Sequence, residues 1–236
     1  MIWSMYVLII LLAAINYFSD KYNIYSGKVH HKFKFISLIA GISLAFLILD
    51  LLPEIYDSGI SNTLISMAMI LGFTIFFGIE KFIYQHERFK VKERKKDLER
   101  AHYLILFLDN LLLGLVFTQI IPSDIFHALI LFLPITAFNI IQGIALHGPA
   151  VKYPKKKKFS SFITDIFLSL AAFYGFIISL LIQIPQIITI LTISFIAGSF
   201  FVIIIKETMP SEKRANTLFI ILGILFYSIL MALTLL

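Results

Sequence analysis

Cysteine is absent from this 236-residue sequence, and charged residues are scarce, at 14% of the chain. Without cysteine there can be no disulfide, no thiolate metal ligand and no cysteine nucleophile, so a bound metal must use oxygen or imidazole nitrogen. Hydrophobic residues make up 59% of the chain, and the mean hydropathy is +0.93. A soluble domain of this size could not bury that much apolar surface, so the composition predicts that lipid surrounds the chain.

Long apolar runs account for most of the sequence. Eight of them reach the length of about 17–25 residues that can cross a bilayer. They lie near 1–18, 33–52, 63–85, 103–121, 125–147, 161–182, 184–205 and 216–236. These runs predict an all-α polytopic membrane protein with eight transmembrane helices, forming a single transmembrane domain over residues 1–236. The expected location is the cell membrane, as a multi-pass protein.

All 20 lysine and arginine residues fall in alternate loops and their flanks, namely the first, third, fifth and seventh. Because basic loops stay cytoplasmic, both termini are predicted to lie outside and the long third loop, residues 86–102, inside. The first apolar run has no basic segment before it, which favours a retained helix over a secretory signal. The net charge of +6 therefore reflects the membrane topology of the loops, and no nucleic-acid partner is expected.

Two pairs of similar segments occur on helices of opposite predicted direction. AGISLAFLILDLLP (40–53) resembles AGSFFVIIIKETMP (197–210), and DNLLLG (109–114) resembles FNIIQG (138–143). Inverted repeats of this kind are common in transporters, whose binding site lies at the repeat interface near mid-membrane. Apolar helices also match one another by chance, so that alternative stays open at this point.

The two asparagines of the shorter pair have similar predicted depths. Asn110 and Asn139 each lie roughly 11–12 Å from the cytoplasmic end of their helices, at 1.5 Å per residue. Two amides and the Asp109 carboxylate are therefore expected at one level. Gly114 and Gly143, one turn further along, predict a close approach of the fourth and fifth helices.

At these residues the chain resembles the ZIP (zinc- and iron-permease-like) family of metal transporters. The resemblance covers nearly the whole chain and implies eight helices, external termini, a long third loop and a 3+2+3 inverted repeat. In that family helices 4 and 5 each carry a His-Asn-x-Pro-Glu-Gly-like motif that supplies the metal ligands. Here both histidines are replaced, by Asp109 and Phe138, and both glutamates, by Leu113 and Gln142. The prolines of both motifs are absent as well.

The resemblance implies a metal site formed by Asp109, Asn110, Asn139 and Gln142. One carboxylate with three amides is a hard, all-oxygen ligand set, which suits magnesium, manganese or calcium better than zinc. The predicted function is movement of a divalent metal cation toward the cytoplasm, with no resident cofactor and no enzyme activity. The alternative is a transport-inactive ZIP-like homologue that acts as a regulatory or partner membrane subunit. The expected partners are the lipid bilayer, the cation and, as an open option, a second copy of the chain in a homodimer.

Several candidate residues have a second interpretation. Asp109 could act as a substrate ligand or as a polar contact that fastens helix 4 to helix 5. Asp50, Glu54 and Asp57 could form an acidic outer mouth that attracts cations, or an ordinary helix end in water. His147 could be an inner exit ligand or an interfacial histidine. Asp165 lies at nearly the depth of Asp109, but no Gly-x-Gly-Asp motif surrounds either residue, which argues against an aspartyl intramembrane protease.

Overall fold

The computed structural model describes residues 2–25, 29–87, 104, 107–117, 119, 125–146, 166–208 and 216–234. Within these ranges the chain is helical and contains no strand, so the all-α prediction is confirmed there. One helix falls in each of the eight predicted runs: α1 (Ile2–Tyr25), α2 (Val29–Phe46), α3 (Asn62–Glu87), α4 (Phe107–Phe117), α5 (Ile125–Leu146), α6 (Ala171–Leu181), α7 (Gln186–Thr208) and α8 (Thr217–Thr234).

Two helical spans among the described residues are long and apolar enough to cross a membrane. They are Lys34–Tyr56, with 23 residues, and Asn62–Ile79, with 18. The other apolar helices have described stretches of 10–17 residues, including Phe107–Phe117 and Ala171–Leu181. Length and composition therefore associate the chain with a membrane through α2 and α3.

The outer part of α2 departs from α-helical geometry. Residues Leu47–Leu51 form a π-helical turn, and the N–H of Leu52 donates to the carbonyl of Leu47, five residues earlier. Pro53 follows directly and has no N–H to donate, so an ordinary α-helical turn could not be completed here. A last short turn, Leu52–Tyr56, ends at the bend that leads into α3.

Glycines bring three pairs of helices into backbone contact. A Cβ on Gly41 of α2 would collide with the carbonyl oxygen of Ile220 in α8, and one on Gly223 with that of Leu38 in α2. Gly72 of α3 and Gly198 of α7 form a second reciprocal pair. The third joins α4 to α6, because Gly114 lies against Ala172 and Gly175 against Leu111. In each pair only the absence of a side chain allows this approach.

The position of Gly114 corrects one prediction. Gly114 does mark a close helix approach, but its neighbour is Ala172 of α6 rather than a residue of α5. A glycine in an apolar helix indicates that another helix can pack closely against it, but the sequence does not identify that helix. The side chains near Gly143 lie outside the described residues, so the α5 half of that prediction stays a prediction.

Contacts along two of these pairs show that their helices run parallel. In α2 and α8, the backbone N–H of Asn216 donates to Ser37 Oγ over 3.0 Å, and further along Tyr227 donates to Asp50. Phe107, at the start of α4, stacks on Phe167, in the helical turn that precedes α6, and Gly114 of α4 meets Ala172 of α6 about two turns after Phe107. Elsewhere α1 packs against α5 and α6, while α2 packs against α5 and α7. The interior formed by α1, α2, α4, α5 and α7 contains the polar residues described next.

Candidate cation site

Asp109 is the carboxylate at the centre of the candidate site. It lies in α4, only 3% exposed, and its Oδ1 is 3.0 Å from the hydroxyl oxygen of Ser199 in α7. A carboxylate in an apolar interior is costly and is usually found with polar partners or a function. Ser199 is fully buried and supplies such a partner from the opposite helix.

Asn110, the next residue of α4, connects to α1. Its Oδ1 accepts a hydrogen bond of 3.2 Å from Nδ2 of Asn16, and both side chains are buried. Two neighbouring residues of one helix therefore face different partners, since consecutive residues are about 100° apart around a helix. Through this pair α4 is joined to both α1 and α7.

Asn139 of α5 is buried as well. Its Nδ2 donates to the carbonyl of Ile135, one turn earlier in the same helix, over 2.9 Å. Because the amide nitrogen turns toward its own helix, the amide oxygen points away from that carbonyl. Asn139 can therefore offer an oxygen acceptor to the interior without losing its intrahelical bond.

Most of these polar residues have a similar predicted depth. Ser199 lies six residues before 205 and Asn139 eight residues before 147, which are the predicted cytoplasmic ends of their helices. Asn16 lies only two residues before 18, the predicted end of a helix that continues to Tyr25 in the structure. Asp109 and Asn110 lie six and seven residues after 103, the cytoplasmic start of theirs. The contact of Ser199 with Asp109 thus agrees with the alternation of direction that the basic loops predict.

An aromatic stack lies next to these polar residues, since Phe138 precedes Asn139 and Phe200 follows Ser199. Phe138, at the position of the first motif residue of helix 5, stacks on Phe200 of α7 with ring centroids 3.4 Å apart. Phe200 also contacts Phe46 of α2, which meets Tyr227 of α8 edge to face. All four side chains are fully or almost fully buried. Phe138, which the resemblance aligns with a histidine of the ZIP family, therefore makes an apolar contact between α5 and α7.

The three acidic residues of the predicted outer mouth differ in burial and in hydrogen-bond partners. Asp50 is half-buried in the π-helical turn and accepts a hydrogen bond from Tyr227 of α8. Glu54 and Asp57 are exposed, and Asp57 caps the end of the last turn of this segment. Asp50 thus contributes to the contact of α2 with α8, whereas Glu54 and Asp57 are free to face the medium.

Other predicted residues lie outside the described residues. Gln142 belongs to α5, but its side chain is not among those described. His147, Asp165 and nearly all of loop 86–102 lie outside the described residues altogether. In the part of the chain that is described, no group of three or more His, Cys, Asp or Glu residues is placed to hold a metal. Among the described contacts, Asp109 meets the hydroxyl of Ser199, and its neighbour Asn110 meets the amide of Asn16.

Two members of this cluster were missed by sequence reasoning, namely Asn16 and Ser199. Each is a polar residue within an apolar run, and Ser199 directly follows the Ala-Gly pair of the longer repeat. Those features could have marked both residues as interior polar groups. The sequence contains no signal that pairs them with α4, because neighbouring helices in a bundle are chosen by packing.

Neither the protein-family models nor the curated proteins include a match to this chain. The likeness to ZIP transporters therefore depends on the residues and motif positions described above. Functional assignment depends on the chemistry of the Asp109 cluster, which consists of Asp109 and Asn110 with their hydrogen-bond partners Ser199 and Asn16.

Proposed function

We propose that this chain is a multi-pass membrane protein of ZIP-like architecture that moves a divalent metal cation toward the cytoplasm. The observation that supports this most directly is the buried carboxylate of Asp109, which accepts a hydrogen bond from Ser199 of α7, while the neighbouring Asn110 bonds to Asn16 of α1. Intramembrane carboxylates that face a bundle interior commonly mark ion pathways. The carboxylate, hydroxyl and amide groups of the proposed site would offer oxygen ligands, which hard cations prefer.

Helix directions support the eight-span arrangement. In a chain that reverses direction at every crossing, α2 and α8 are six crossings apart and α4 and α6 are two, so each pair should run parallel. The contacts of Ser37 with Asn216 and of Phe107 with Phe167 fit that requirement. External termini remain part of the proposal, because they depend on the charge of the loops alone.

Glycine contacts support the 3+2+3 inverted repeat. Such a repeat relates α2 to α7 and α8 to α3, so a contact of α2 with α8 should recur between α7 and α3. Gly41 and Gly198, the glycines of the two Ala-Gly pairs, each meet a glycine-bearing partner helix. The partners carry Gly223 and Gly72 respectively, which completes the correspondence. Four glycines placed in this way are harder to obtain by chance than two similar apolar segments.

Charge limits the affinity that the site can reach. Asp109 neutralises one of the two charges of a divalent ion, and the other must be stabilised by amide and hydroxyl dipoles and by retained water. We therefore expect weak binding, on the order of 0.1–1 mM, the range of cation sites with few charged ligands. Weak binding suits transport, because an ion must leave the site as well as enter it.

Manganese uptake into proteoliposomes tests the proposal. The wild-type chain should quench an enclosed metal-sensitive dye faster than protein-free vesicles do. Asp109→Asn keeps the shape and hydrogen bonding of the side chain but removes its charge, and it should abolish that difference. If Asp109→Asn transports as well as the wild type, the carboxylate is not the ligand and the contact with Ser199 has a structural role alone.

A specific observation favours the alternative function, a transport-inactive homologue that serves as a regulatory or partner subunit. The stack of Phe138 on Phe200 fills a motif position with fully buried aromatic rings, close to the residue that holds Asp109. Such a contact would stabilise one arrangement of α5 and α7. Phe138→Ala distinguishes the two functions in the uptake assay. If the wild-type chain does not transport manganese, the variant should not transport it either. If the wild-type chain is an active transporter, the variant should transport manganese at a different rate.

A further inference from the structure

Ser199 has one hydroxyl proton and two acceptors within reach. Its oxygen lies 2.7 Å from the carbonyl oxygen of Ile196, in its own helix, and 3.0 Å from Oδ1 of Asp109. A hydroxyl can donate to only one of these at a time. The local carbonyl is the nearer acceptor, and it remains available whatever occupies the space beside Asp109.

This geometry leaves the serine oxygen able to act as a ligand. When the proton points to Ile196, both lone pairs of Ser199 are directed away from that carbonyl, and the Asp109 carboxylate lies on that open side. A cation between the two oxygens would replace the hydrogen bond from Ser199 to Asp109. The hydroxyl would still donate to Ile196, so no buried donor would lose its partner.

We infer that Ser199 is a direct ligand of the cation held by Asp109, so that the ion links α4 to α7. The inference rests on the proposed function and names a residue outside the two motifs. A neutral hydroxyl oxygen is a hard ligand, which adds to the preference for manganese or magnesium over softer metals. The ion at this position would bridge α4 and α7, which share the hydrogen bond from Ser199 to Asp109.

Three substitutions of Ser199 test this by manganese binding to the purified full chain, measured as the loss of the free-ion signal in electron paramagnetic resonance. Ser199→Ala removes the oxygen and should weaken manganese binding at least about fivefold, whereas Ser199→Thr keeps a hydroxyl and should bind nearly as the wild type does. Ser194 provides the matched control. It is fully buried in the same helix and donates to Ile190 over 2.7 Å, so Ser194→Ala loses an equivalent local bond and should leave binding unchanged.

Ser199→Cys adds a spectroscopic test in which no native cysteine interferes. Because the chain has no cysteine, ultraviolet Cd–thiolate absorption would report on the introduced sulfur alone. Thiolate ligands favour soft metals, so the ratio of cadmium to manganese affinity should rise at least about tenfold. The absorption should disappear when Asp109→Asn is added, and it should be absent from Ser194→Cys.

The possible outcomes separate this inference from the proposed function. Manganese binding that requires Asp109 but is the same in Ser199→Ala would overturn the inference and leave the proposed function standing. Cadmium–thiolate absorption that persists without Asp109, or that Ser194→Cys shows equally, would also overturn it. If the wild-type chain binds no manganese at all, both the inference and the proposed function are wrong.

Discussion

Asn16 of α1 donates a hydrogen bond from Nδ2 to Oδ1 of Asn110 in α4, over 3.2 Å and between two buried side chains. The two residues are 94 positions apart in the chain. Their contact joins the first helix to the motif of the fourth, directly beside Asp109. It therefore positions one of the predicted amide ligands from a helix that carries no part of the repeat motifs.

Replacement of Asn16 by leucine should weaken both the fold and the cation site. The loss of one hydrogen bond between helices in a membrane costs about 0.6 kcal/mol on average, and up to about 1.7. Manganese binding should fall as well, because Asn110 loses the group that orients its amide. Thermal unfolding in detergent and manganese titration measure the two effects. Thr192→Val, which removes a hydroxyl bonded to Ile188 within α7, is the control and should leave manganese binding intact.

A methyl group on Gly41 should destabilise the protein. The added Cβ would collide with the carbonyl of Ile220, so the backbones of α2 and α8 must separate, at a cost of about 1–3 kcal/mol. Gly78→Ala in α3 is the matched control, because among the described residues nothing beyond the nearby backbone of its own helix comes within 4 Å of a Cβ at that position. Alanine is the better helix former, so Gly78→Ala should be neutral or slightly stabilising. Equal melting temperatures for the two variants would show that α2 and α8 are not in backbone contact.

Restoration of the ZIP-family ligands should raise the affinity for zinc. The triple variant Leu113→Glu, Phe138→His and Gln142→Glu adds one imidazole and two carboxylates at the motif positions. If the alignment is correct, zinc binding should tighten at least about tenfold, which corresponds to about 1.4 kcal/mol. The double variant that retains Phe138 serves as the comparison, since it keeps the stack on Phe200. A folded triple variant that gains no zinc affinity would show that the motifs are misaligned.

Membrane topology can be tested with single cysteines in this cysteine-free chain. Ser61 is exposed in the connection between α2 and α3, and Lys156 belongs to the fifth loop. An impermeant thiol reagent should label Ser61→Cys from outside intact cells and Lys156→Cys only after the membrane is opened. Labelling of Lys156→Cys from outside would contradict the assigned orientation.

The helices themselves could be predicted because they depend on local properties. Apolar runs of spanning length predicted where the described helices lie. Some helices extend beyond the predicted apolar run into polar flanking residues, as in α1, which was predicted to end near 18 and continues to Tyr25. Such features need only the residues within one segment.

Neighbouring helices could not be predicted in the same way. Gly114 indicated a close approach, but the partner is α6 rather than α5, because the shapes of both surfaces decide which helices meet. For the same reason Asp109 and Asn110 were recognised as interior polar residues while Ser199 and Asn16 were missed. Apolar helices resemble one another in sequence, so the partner of a buried polar group becomes visible only once the helices are assembled.

The most direct test of the central claim is an anomalous-difference map from crystals of the wild-type chain soaked in manganese. The account predicts a peak between α4 and α7, within about 2.0–2.6 Å of the Asp109 carboxylate and of the Ser199 hydroxyl. The same peak should be missing from crystals of Asp109→Asn. A peak at the exposed Glu54 and Asp57, or no peak in the interior, would contradict the assignment of the Asp109 cluster as a cation site.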